Sequence, residues 1–134
     1  MRVLLDTNVF VSALLRTGSS HAIVEALRDG AFTLITSEAL VAEIAEVIAR
    51  PKFSAAISAD DRRELLALIT RDAHFVTPHP VTLHVRDPKD RLVLACAYAA
   101  DILVSGDHDL QVLRVIGTTE VLSPSRFLAK LSHH

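Results

Sequence analysis

Short aliphatic runs, each too brief to be a helix, recur along this chain with stretches of helical periodicity between them. Val3-Leu4-Leu5, Phe32-Thr33-Leu34-Ile35, His74-Phe75-Val76, Ile102-Leu103-Val104 and Thr119-Glu120-Val121-Leu122 read as strands, the third of them weak. Aliphatic runs with little polar alternation suit strands covered on both faces, as parallel strands are. The intervening segments read as helices. One runs through Val9 to Leu15 after the turn-forming Asp6-Thr7-Asn8. The next is capped by Ser20, carries Ile23, Val24 and Leu27 on one stripe, and stops at Gly30. Ser37 caps a helix reaching about Arg50, where Pro51 ends it, and Asp60 or Asp61 starts another with Leu65, Leu66, Leu68 and Ile69. Asp87-Pro88 opens a helix whose Leu92 to Ala100 stretch is apolar on every side, and Pro124 to Leu131 forms a closing helix.

Strands alternating with helices imply an α/β fold, a three-layer α/β/α sandwich with a central parallel sheet of about five strands. At 134 residues, with no repeat, low-complexity segment or Gly/Ser linker, the expectation is one domain over 1–134. Half of the residues are hydrophobic, which excludes disorder, while only 4% are aromatic, so the core must be Val, Leu, Ile and Ala. The single cysteine, Cys96, forbids an internal disulfide, fits a reducing cytosol and reads as core. No apolar run approaches the ~20 residues that cross a bilayer, and the strand-like start lacks a signal-peptide layout. A cytoplasmic protein without membrane contact is expected. The net charge of −2 excludes a surface that coats nucleic acid by bulk charge, so any such contact needs a local basic patch.

In doubly wound sheets ligands bind beyond the carboxyl ends of the strands, near a switch in strand order. Asp6 follows the first strand and Asp107 the fourth. Each, taken alone, reads equally as an Asx turn or a helix cap. Glu43 is more informative. At roughly 100° per residue, Leu40, Ile44 and Val47 centre the apolar stripe of their helix and Glu43 lies on its margin, whereas Glu38 and Glu46 point elsewhere. Asp90 sits three residues after Asp87 in Asp87-Pro88-Lys89-Asp90; one acid suffices as a cap, and a second on the first turn of an apolar helix needs another reason.

Four carboxylates converging on one rim would repel each other and raise each other's pKa unless a cation sat among them. Oxygen-only ligation selects a hard ion, Mg²⁺ or Mn²⁺, and such an ion supports phosphodiester hydrolysis. Basic residues near the rim, Arg86, Lys89 and Arg91 beside Asp90 and Arg50 with Lys52 beside the Glu43 helix, are candidates for phosphate contact, against the alternative of a solvated surface. Histidines 74, 79 and 84 are five apart and none forms His-x-x-x-His on a helix, so zinc is not expected; four glycines supply no P-loop or dinucleotide fingerprint.

Leu5-Asp6-Thr7-Asn8-Val9-Phe10, the helix from Ser37 to Glu43, Asp87-Pro88-Lys89-Asp90-Arg91-Leu92-Val93-Leu94-Ala95 and Leu103-Val104-Ser105-Gly106-Asp107-His108-Asp109-Leu110 resemble, in order and spacing, the motifs of PIN domains. The nearest likeness is to the VapC-like toxin component of bacterial and archaeal toxin–antitoxin pairs, and it covers essentially the whole chain. The resemblance implies an endoribonuclease that cuts single-stranded or structured RNA with a divalent metal, is usually a homodimer, and is often silenced by an antitoxin protein. It carries the four acids onto Asp6, Glu43, Asp90 and Asp107 as catalytic and metal-binding residues. Asn8, Ser105 and Asp109 would support them, and Asp87 aligns less securely. Two rival readings are a Mg-dependent phosphatase with an aspartyl nucleophile and a non-catalytic PIN-like binding module. The phosphatase wants an acid two positions after Asp6, where this chain has Asn8.

Overall fold

A computed structural model describes residues 1–81 and 90–133. Its sheet is built from β1 (Arg2–Leu5), β2 (Thr33–Thr36), β3 (His74–Phe75), β4 (Ile102–Val104), β5 (Val115–Ile116) and β6 (Thr119–Leu122) in the order β3-β2-β1-β4-β6-β5. All pairings are parallel except β5 with β6. Around it lie α1 (Thr7–Leu14), α2 (Ser20–Arg28), α3 (Glu38–Ile48), α4 (Pro51–Ser54), α5 (Ala59–Asp72), α6 (Asp90–Leu94), α7 (His108–Gln111) and α8 (Pro124–Ser132).

The side chains of β1 alternate between two cores, which makes three layers. Val3 and Leu5 join Leu34, Ile102 and Val104 against Phe10, Ile23, Ile44, Ile69 and Phe127. Leu4 joins Ile35, Leu103 and Val121 against Leu40, Val93, Cys96 and Leu110. Aromatic packing is confined to a few places, such as the edge-to-face pair of Phe32 and Phe127 at 5.4 Å. Cys96 is fully buried, and burial pushes its thiol pKa up against a hydrogen bond with Ser37 that lowers it. No helix among the described residues is long and apolar enough to cross a membrane.

The departures from expectation have local causes. The sheet has six strands because the two-residue β5 returns antiparallel at one edge, too short to show a period of its own. Helix α1 starts at Thr7, since Asp6 is its cap instead of part of a separate turn. Helix α2 begins at Ser20 behind Ser19, with no side-chain cap, and α5 is capped by Ser58, leaving Asp60 and Asp61 in its first turn, where the helix dipole favours acids. The apolar stretch expected as one helix to Ala100 is instead α6 followed by a 3-10 turn over Ala97–Ala99. There the buried Thr119 hydroxyl takes up two carbonyls, approaching Ala97 O at 2.6 Å and Ala100 O at 2.8 Å. The expected proline start of this helix lies outside the described residues.

β2 and β3 lie on one side of β1, and β4, β6 and β5 on the other, so the strand order reverses between β1 and β4. The chain leaving those two neighbours, at Asp6 and at Ser105, emerges on the same rim. Leu103 is fully buried at the centre of β4. Leu103→Ala is expected to cost about 2–5 kcal/mol, read as a lowered urea midpoint with an unchanged slope.

Candidate functional site

Asp6 extends the parallel ladder, donating its N–H to Val104 O at 2.9 Å, and then caps α1 by accepting Thr7 N–H on Oδ1 at 2.8 Å. Its Oδ2 accepts the Ser105 hydroxyl at 2.7 Å and the Asn8 amide at 3.0 Å. Asn8 reaches onward, its Oδ1 accepting Gly106 N–H at 2.9 Å, while Ser105 Oγ accepts Asp107 N–H at 2.9 Å. The ends of β1 and β4 are thus joined through four polar residues and Gly106. A Cβ on Gly106 would stand 3.3 Å from Asn8 Oδ1, closer than side chains ordinarily pack, so this approach favours glycine.

Glu43 comes from α3, whose start is set by Ser37 accepting Leu40 N–H at 3.2 Å. Leu40, Ile44 and Ile48 bury the inner face of that helix. Ile48 takes the deep position expected for Val47, and Val47 lines the cavity instead. Glu43 stays half-buried on the margin, where the Thr7 hydroxyl donates to its Oε2 at 2.5 Å. Asp90 opens α6 with only 7% of its surface exposed. Asp107 caps α7, its Oδ1 accepting Asp109 N–H at 2.9 Å.

Asp6, Glu43, Asp90 and Asp107 all line one cavity of about 270 Å³, and Arg50 lines it with them. Arg50 is already engaged by Glu46 through three contacts of 3.0–3.2 Å. Among the described residues, four carboxylates and the guanidinium of Arg50 line the cavity, and two of those acids act on Asp6. Burial first, then the charges of Glu43 and Asp107, hold its pKa above the ordinary 3.8, while hydrogen bonds from Ser105 and Thr7 pull the other way. The folded chain therefore binds this proton more tightly than the unfolded chain. The stability contributed is full below the ordinary value and is lost as pH rises through the raised one.

The oxygen donors suit a hard divalent cation, which would offset the charge of the carboxylates. Among the described residues no three His, Cys, Asp or Glu side chains are grouped as a metal site, and the four acids share the lining of one cavity. Of the other expected site residues, Asn8 lines the cavity and Ser105 braces it from beneath. Asp109, Arg91 and Lys52 are exposed and do not line it; Lys52 lies over the Phe53 ring at 4.9 Å. Asp87, Arg86 and Lys89 lie outside the described residues. The residue not foreseen is Thr7: a threonine between two candidate polar residues reads as turn chemistry until its hydroxyl is seen on Glu43.

The sequence matches the PIN domain over residues 2–109, a span holding all four acids. The chain belongs to the PIN-domain family. PIN domains are typically nucleases, hydrolases that act on nucleic acid, and they generally use divalent metals. Strands β5 and β6 and helix α8 lie beyond the matched span. None of the curated proteins compared with this PIN domain matches its sequence.

Because the Ser105 hydroxyl lowers the Asp6 pKa, Ser105→Ala is expected to raise it further in the metal-free protein. Carboxyl ¹³C NMR titration reads this directly; an unchanged or lowered midpoint would contradict the assignment of that hydrogen bond.

Proposed function

We propose that this PIN domain is an endoribonuclease that hydrolyses phosphodiester bonds of single-stranded or structured RNA with Mg²⁺ or Mn²⁺. The observation that carries the reading is the convergence of Asp6, Glu43, Asp90 and Asp107 from four separate segments on one cavity at the β1–β4 switch. These four residues would hold the ion. When bound, a divalent cation lowers the pKa of an attacking water and offsets charge on the phosphoryl and leaving oxygens.

The chain's own residues prepare that chemistry. Ser105, Asn8 and Thr7 N–H grip both oxygens of Asp6, so its carboxylate is oriented before any ligand arrives. Thr7 fixes one oxygen of Glu43 and leaves the other side of that carboxylate for the cavity. Arg50, on the same lining, offers planar donors to a phosphate if it exchanges Glu46 for substrate. The likeness to toxin components supports RNA as the substrate, an antitoxin protein as a partner, a homodimer and a cytoplasmic setting. Residues 1–134 would act as a single unit.

A phosphatase is disfavoured at Asn8, whose amide donates to Asp6 and does not titrate, so it cannot serve as a general acid or base. A non-catalytic module gives no reason for four acids to share a cavity.

Cleavage of a mixed RNA pool in Mn²⁺ is expected to stop in EDTA, resume with added Mg²⁺ and be abolished by Asp6→Asn. Cleavage that persists in chelator or in the Asn variant overturns the reading. Thr7→Val, which removes only the hydroxyl braced against Glu43, is expected to lower metal affinity or activity about 10–100-fold, with the fold retained by circular dichroism.

A further inference from the structure

A second cavity of about 780 Å³ lies over the segment that the family match does not cover, between α7, β5, β6 and the start of α8. Its lining carries Arg114, Arg126 and His108 together with Ser123 and Ser125. Both arginines are exposed, and neither forms an ion pair among the described residues. Glu120, an acid on the same lining, is engaged by Lys130 at 3.3 Å. Among the described residues the charge of this cavity is therefore positive, and the other cavity is lined by four carboxylates, in a chain of net charge −2. Asp107 lines the acidic cavity and His108, the next residue, lines the basic one, so consecutive residues serve the two. Arg114 also holds a left-handed backbone, with φ of 59°, where a long side chain has no conformational advantage.

We infer that this cavity holds the phosphates of the RNA strand flanking the bond cut at the acids, with Arg114 and Arg126 as its phosphate ligands. The inference rests on the nuclease reading for the identity of the polyanion, and on the two cavities' contrasting linings and the consecutive Asp107 and His108 for the path. A strand whose scissile phosphate lies at Asp6 and Glu43 needs cationic support where it leaves them, since the acids themselves repel it. Arg50 lines the acidic cavity, whereas Arg114 and Arg126 line the basic one, where their planar donors can meet phosphate oxygens in pairs.

The test is the salt dependence of binding, separated from cleavage by placing every variant in the Asp6→Asn background. A labelled single-stranded RNA of mixed sequence is the probe, titrated by fluorescence anisotropy at several salt concentrations. Each phosphate contact on a single strand contributes about 0.7 to the slope of log K against log salt, so the pair Arg114→Asn with Arg126→Ser should lower its magnitude by roughly 1.4. Asn is chosen at 114 because it tolerates the left-handed backbone. The pair Arg114→Lys with Arg126→Lys keeps both charges and should keep the slope. An unchanged slope in the neutral pair, an equal loss in the lysine pair, or no binding by the parent overturns the proposal. Cleavage by the unmutated chain is assayed alongside. Cleavage with an unchanged slope removes the groove and leaves the nuclease; a lowered slope without cleavage does the reverse.

Discussion

The structure turns on one carboxylate set where the sheet changes direction. Asp6 ends β1 and is gripped by its own α1 amide, by Asn8 and by Ser105 from the end of β4. That arrangement ties the two central strands together at their carboxyl ends, yet it buries a charge whose pKa is raised and whose neighbours Glu43 and Asp107 are also acids. A buried carboxylate is tolerable when hydrogen bonds or a cation compensate it. Three hydrogen bonds do part of that here, and a divalent ion in the cavity would compensate it further.

Rigidity and function are divided between two sets of side chains. The aliphatic strands Val3 to Leu5 and Ile102 to Val104 are almost wholly buried and fix the rim. The polar residues just past them, Thr7, Asn8 and Ser105, hold Asp6 and Glu43 in place. Preorganisation of this kind limits what must move when substrate binds, which is the usual gain of building a site on the ends of packed strands. The basic cavity at Arg114 and Arg126 lies in the part of the fold outside the family match.

Much of this was legible in the sequence, for physical reasons. Aliphatic runs reveal buried parallel strands, and Ser37 and Asp107 cap the helices they precede. Glu43 on the margin of its helix stripe pointed to the rim, and the PIN-like motifs tied it to Asp6, Asp90 and Asp107. What stayed hidden depends on contacts across the chain. The 3-10 turn at Ala97–Ala99 is met by Thr119, more than twenty residues away, and no local pattern announces it. β5 is two residues long and exists through its pairing with β6. Arg114 and Arg126 come from different elements and share a cavity only because that short strand turns back. Lys52 and Arg91, which sequence proximity placed near the acids, do not line the cavity: Lys52 belongs to α4, past the end of the Glu43 helix, and Arg91 follows Asp90 on α6, where consecutive residues do not share a face.

On the proposed function, Asp6, Glu43, Asp90 and Asp107 would surround a divalent cation. Anomalous scattering at the manganese edge, from crystals grown with Mn²⁺, locates such an ion directly. A peak inside the cavity that these four side chains line is expected. Manganese bound elsewhere, with that cavity empty in a protein that cleaves RNA, would contradict it.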